Sequence, residues 1–295
     1  MYVNARPRRS VLYMPGSKAR ALEKARALAA DVLILDLEDA VTPAEKASAR
    51  GMVAAAVAQG GYGGREIVIR INGLDTEWGA DDLAMAAVSG ADAVLVPKVE
   101  SAAMVADVES RLRAAGAPDS LAIWAMMETP LGMLNAAEIA GSSDRLACLV
   151  MGTNDLVKEL AAAHTPDRLP VVTALGLCML AARAHGQAIL DGVYNAFKDE
   201  DGLRASCEQG KAMGFDGKTL IHPAQLGVTN EVFGPDADEI DVAERYVAAF
   251  AEAEAAGQGV AVVDGRIVEN LHVETARALL SRAAAIAKLE AELEE

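Results

Sequence analysis

The chain has 295 residues, 52% of them hydrophobic and 24% charged, which supplies a large core and excludes the polar composition of a disordered chain. Its net charge of −16 argues against a nucleic-acid phosphate backbone as the main partner, and its charge-free stretches at 51–64 and 169–182 are shorter than the roughly 20 apolar residues of a membrane helix. The N-terminal MYVNARPRRS lacks an apolar signal region, and Cys148, Cys178 and Cys207 form no C-x-x-C pair, so the expectation is a cytoplasmic protein with buried free thiols.

Along the chain, eight short apolar runs alternate with longer Ala-rich stretches of helical period. The runs are 10–16, 31–39, 66–72, 93–98, 121–129, 146–153, 188–195 and 215–223. Eight βα units are the number that closes a parallel barrel, which predicts an α/β fold, a TIM (β/α)8 barrel over 1–235. Thr42-Pro43-Ala44-Glu45 reads as a capping box with proline at the first helical position, and Ser17 and Ser101 read as the starts of two further helices. The Gly-rich 60–64 lacks the Lys-Ser/Thr of a phosphate loop and reads as a connector. Residues 236–295 exceed what a barrel needs. They predict a long helix over about 236–256, a short hairpin turning at Asp264-Gly265, and a charged helix from about 272, an extension covering the mouth or packing on another subunit.

In such a barrel the functional groups stand at the C-terminal ends of the strands. Those ends read Glu38-Asp39, Arg70 with Asn72, Lys98, Glu128, Asn154-Asp155, Asn195 and His222, so four carboxylates and two cations would ring one mouth. Converging charges must be offset by pairing or by a metal. Oxygen ligands without His or Cys at zinc spacing point to Mg²⁺ or Mn²⁺, with Glu128 and Asp155 as direct ligands ending strands five and six, and Glu38 and Asp39 holding metal-bound waters. A salt-bridge network is the alternative. Lys98 fits an electrostatic role better than a Schiff base beside a metal. Residues 1–26 carry a net +6 (Arg6, Arg8, Arg9, Lys18, Arg20, Lys24 and Arg26 against Glu23) while the remainder carries −22, which places an anionic ligand near the first strand and helix. His164 and His185 stand outside any triad pattern.

The segments RSVLYMPGS (9–17), LDLEDAV (35–41), VIRING (68–73), VPKVES (96–101), METPLG (127–132), GTNDL (152–156), GKTLIHPAQ (217–225) and GRIVENLHV (265–273) together resemble the citrate lyase β-subunit-like family of the HpcH/HpaI aldolase superfamily, with its malyl-CoA and citramalyl-CoA lyases. The resemblance implies a modified TIM barrel performing reversible Claisen chemistry on an acyl-CoA. It implies Mg²⁺ on Glu128 and Asp155, and Arg70 on the substrate. It further implies coenzyme A near Tyr13, Lys18, Arg20 and Lys24, with Ile221 and His222 lining the acyl site, and a homo-oligomer, a trimer or dimer of trimers. The family's tail aspartate, donated into a neighbouring active site, aligns with Glu269, one methylene longer, beside His272.

The expected reaction is therefore cleavage of a 3-hydroxy-3-carboxyacyl-CoA to acetyl-CoA and a 2-oxo acid. Alternatives are a malyl-CoA thioesterase, a citrate lyase β subunit acting on a carrier-protein thioester, and a CoA-independent pyruvate aldolase.

Overall fold

A computed structural model describes residues 6–293. Eight parallel strands close into a barrel in chain order: β1 Ser10–Pro15, β2 Val32–Asp36, β3 Glu66–Arg70, β4 Ala93–Val96, β5 Ala122–Met127, β6 Leu146–Met151, β7 Ala188–Asp191 and β8 Gly217–Leu220. All eight lie within the apolar runs of the sequence. They end earlier than the runs because the terminal polar residues belong to the loops.

Alternation along each strand sorts side chains into two layers. Val11, Ile34, Val68, Leu95, Trp124, Val150 and Leu190 plug the barrel, while Leu33, Leu35, Ile67, Ile69 and Leu149 face the surrounding helices. Trp124 is fully buried, so the interior is a packed core and not a pore. The three cysteines are free and buried. No helix among the described residues is long and apolar enough to cross a membrane.

Two local readings need correction. Thr42 precedes a 3-10 turn and does not cap it: its hydroxyl donates to the Glu45 carboxylate at 2.9 Å, so the capping box is absent. Ser17 does not start the first helix, which spans Ala19–Ala25 with Lys18 as N-cap, and the Ser17 hydroxyl is buried without a hydrogen bond. Ser101 does cap Ala102–Ala114, accepting from the Met104 amide at 3.3 Å.

Contacts divide the chain into a barrel unit, residues 8–233, and a second unit built mainly from Gly234 onward. In the second unit, Asp236 and Glu239 form a reciprocal capping box at the start of the helix Ala237–Ala255. Strands β9 Ala261–Val263 and β10 Arg266–Val268 pair antiparallel. Their turn, Asp264-Gly265, has positive φ at both residues (49° and 75°), as a two-residue hairpin requires. The helix Asn270–Ala291 follows, and Phe250, Val263, Val268 and Val273 make a small separate core.

Candidate functional site

The top inward layer of the barrel brings polar groups in beside one methionine. β1 brings Tyr13, β2 brings Asp36, β3 brings Arg70 and β5 brings Met126, each two residues beyond an apolar plug residue. The β2–β3 register sets Asp36 directly beside Arg70. Their pairing is bidentate, with Arg70 Nε 2.7 Å from Asp36 Oδ1 and Nη2 2.6 Å from Oδ2. The guanidinium lies over the Tyr13 ring at 4.6 Å. Its remaining nitrogen, Nη1, stands 3.1 Å from Glu38 and 3.7 Å from Asp39. Burial works against the Arg70 charge, but Asp36, Tyr13 and Glu38 together outweigh it and hold the pKa well above the ordinary value.

The acidic turn after β2 is clamped from behind. Lys46, buried, donates through Nζ to the carbonyls of Leu37 (3.1 Å) and Glu38 (3.0 Å) and to Asn72 Oδ1 (2.6 Å). Asn72 Nδ2 also donates to the Leu37 carbonyl at 2.9 Å and to Asp82 at 2.6 Å. Desolvation raises the Glu38 carboxyl pKa.

Glu128 follows β5 and is 3% exposed. Its Oε1 accepts the Lys98 amide at 2.9 Å, an approach made possible by a left-handed backbone at Lys98 (φ 49°). Desolvation, together with the negative charge of Asp155, pushes the Glu128 carboxyl up to about 7. At Lys98, burial opposes the ammonium, but Asp155, Glu128, Glu38 and Asp39 outweigh it and raise its pKa. The four carboxylates and two cations expected at the mouth are thus brought together. Asp155 corrects one detail, since it sits in the first turn of the helix Thr153–Glu159 and not at the tip of β6.

Gly152 explains how Glu128 and Asp155 share this space. A Cβ at residue 152 would meet Glu128 Oε2 and Cβ, each at 2.4 Å, so only glycine lets the carboxylate lie across the end of β6. Gly152→Ala should therefore weaken divalent-cation binding by about 10- to 100-fold in calorimetry while leaving the circular dichroism spectrum unchanged.

A cavity of about 310 Å³ opens here, lined by Tyr13, Asp39, Arg70, Gly152, Asp155 and Ile221 among others. Glu38 and Lys98 line a second cavity of about 470 Å³. Among the described residues no three His, Cys, Asp or Glu side chains form a ready metal cage. Glu128, buried beside a second acid, Asp155, nevertheless fits a hard divalent cation, because Mg²⁺ characteristically takes one or two carboxylates and leaves its other positions to water and substrate.

Lys18, Arg20 and Lys24 are exposed on and before the first helix. Lys18 pairs with Glu45 at 3.4 Å. His222 is exposed and stacks on Phe197 with centroids 4.4 Å apart, its Nδ1 accepting the Ala224 amide at 3.1 Å. Buried Gln225 fixes this turn, accepting from the Ile221 and His222 amides at 3.0 and 3.2 Å. Glu269 belongs to the second unit, where it is exposed at the N-cap of the last helix and donates its amide to His272 Nδ1 at 3.0 Å.

Sequence reasoning missed Asp36, Lys46 and Gly152. A signal existed for Asp36, an acid at an inward position of a fully buried strand, which is costly unless paired.

A family model described as HpcH/HpaI aldolase/citrate lyase matches residues 9–223. A (3S)-malyl-CoA thioesterase from Cereibacter sphaeroides is 62% identical over 283 residues, 96% of this chain and 97% of that protein. The citrate lyase subunit beta of Escherichia coli is 37% identical over 283 residues, 94% of each chain. Among solved structures, protein CitE from Mycobacterium tuberculosis in complex with magnesium, acetoacetate and coenzyme A superposes with a TM-score of 0.73 at 30% identity, covering 93% of this chain and 97% of that one. With the barrel, the ordered motifs and these likenesses in agreement, the chain belongs to the HpcH/HpaI aldolase/citrate lyase family.

Proposed function

We propose that this protein hydrolyses the thioester of a malyl-type CoA, releasing the free hydroxy acid and the thiol of coenzyme A. The observation that carries the reading is 62% identity to a (3S)-malyl-CoA thioesterase across 96% of the chain, against 37% to a citrate lyase β subunit. Claisen cleavage, the first expectation from the sequence, thereby yields to its alternative. Glu269 supports the same choice. Where the resemblance leads one to expect aspartate, the longer acid displaces the carboxylate, and proton transfer to carbon depends on hydrogen-bond reach.

Glu128 and Asp155 would hold Mg²⁺, and that ion, when bound, would supply Lewis-acid chemistry to the oxygens of the acyl group. The chain's own residues do the rest. Arg70, held rigidly at its Nε edge, offers Nη1 to the acyl carboxylate. Lys98 balances the surrounding negative charge. Lys18, Arg20 and Lys24 give the phosphates of coenzyme A a cationic approach, and Ile221 and His222 flank the acyl entrance. Glu269 is proposed to act within a homo-oligomer, as the resemblance implies.

The test is a panel of malyl-CoA, citramalyl-CoA and citryl-CoA with Mg²⁺, with free thiol and acetyl-CoA assayed separately. Free thiol from malyl-CoA without acetyl-CoA is the expected result. Acetyl-CoA formed in step with a 2-oxo acid would instead establish carbon–carbon cleavage.

A further inference from the structure

Asp36 has 0% exposure and both its oxygens are saturated. Oδ1 accepts from Arg70 Nε (2.7 Å) and the Glu38 amide (2.8 Å), and Oδ2 from Arg70 Nη2 (2.6 Å) and the Ala40 amide (3.0 Å). Four donors leave no lone pair for a metal or a substrate. The same carboxylate therefore fixes two things at once. It spends two of the three guanidinium nitrogens of Arg70, so that Nη1 alone is turned toward Glu38 and the mouth. It also gathers the amides of residues 38 and 40, so that the turn bearing Glu38 and Asp39 cannot drift from Arg70.

We infer that Asp36 is a positioning residue that sets the geometry between Arg70 and the Glu38–Asp39 turn, acting through them and never touching substrate. The inference rests on the reading that Arg70 takes a carboxylate of the acyl group. A carboxylate is needed here and not a neutral amide, because an asparagine would turn one NH₂ toward donors that already fill the space. Misplacement of a reacting group by about an ångström costs on the order of 10²-fold, which sets the expected size of the effect.

The probe is malate, the free hydroxy acid that the proposed hydrolysis releases, titrated in the presence of Mg²⁺ by calorimetry on the full chain, alongside kcat and KM for malyl-CoA. Asp36→Asn should weaken malate binding and lower kcat by about 10²-fold, with little change in KM for the CoA ester. In an Arg70→Ala background the same substitution should cost less than about threefold, because its effect passes through Arg70. Adding methylguanidinium to Arg70→Ala should restore part of the turnover, and that rescue should vanish in Asp36→Asn/Arg70→Ala. Should Asp36→Asn fail to fold, Asp36→Glu keeps the charge and should bind malate about tenfold more weakly. An equal loss in both backgrounds, a rescue indifferent to Asp36, or unchanged malate binding overturns the inference alone. Failure of the wild-type protein to bind malate with Mg²⁺ overturns the carboxylate reading and this inference with it.

Discussion

Glu128→Gln should abolish Mg²⁺-dependent turnover and at the same time stabilise the metal-free protein above neutral pH. The carboxyl is pushed up to about 7 in the fold from an ordinary 4.5, so ionising it costs folding free energy. A group raised in this way contributes its full stability below about pH 4.5 and loses it as pH climbs through 7. At pH 8 the accumulated penalty is about 3 kcal/mol, and the neutral, isosteric glutamine escapes it while still accepting the Lys98 amide. Thermal melts without metal should show the variant more stable at pH 8 and indistinguishable from wild type at pH 4. Wild-type Mg²⁺ affinity should fall about tenfold per pH unit below 7, because the cation must displace a proton. A variant that melted at the same temperature as wild type at pH 8 would mean that Glu128 is ordinarily ionised and easily solvated.

The barrel was legible because a parallel strand covered on both faces has to be an apolar run, and four of the runs, 31–39, 66–72, 93–98 and 121–129, carry a charge within their last three residues. Leu33 to Leu35 and Ile67 to Ile69 could scarcely be anything else. The hairpin was legible for a similar local reason, since Asp264-Gly265 supplies the two positive φ values that its turn demands. What lay beyond reach depends on partners distant in the chain. Asp36 and Arg70 are 34 residues apart and meet only through strand register, and Lys46 finds Asn72 26 residues away. Gly152 reads as an ordinary loop glycine until Glu128 is placed across it. The helix start at Ser17 failed for the opposite reason: the residue type suits a cap, but β1 runs through Pro15 and the helix begins only at Ala19.

The mouth therefore consists of two differently built halves. Buried Glu128 accepts the Lys98 amide on Oε1 and stands beside the half-buried acid Asp155, and two neighbouring carboxylates of this kind suit a cation. Asp36, by contrast, is fully satisfied, and this suits it to hold something still. Acids at the same barrel end thus differ in the donors that reach them, one amide at Glu128 and four N–H groups at Asp36, although both side chains are carboxylates.

Arg70→Ala tests the seam between those halves, and two losses should appear together. Turnover should fall by about 10²-fold, as for loss of a group that orients the substrate for reaction. The fold should also lose about 3–5 kcal/mol, because truncating Arg70 leaves the fully buried Asp36 carboxylate without its bidentate counter-charge. Arg70→Lys separates the two. An ammonium restores part of the charge balance, so much of the stability should return, but it cannot make the bidentate contact with Asp36 while offering a further N–H to the cavity. Turnover should accordingly stay near the alanine level while the urea midpoint recovers. If lysine restored turnover as well, the fork geometry would be irrelevant and Arg70 would act as a point charge.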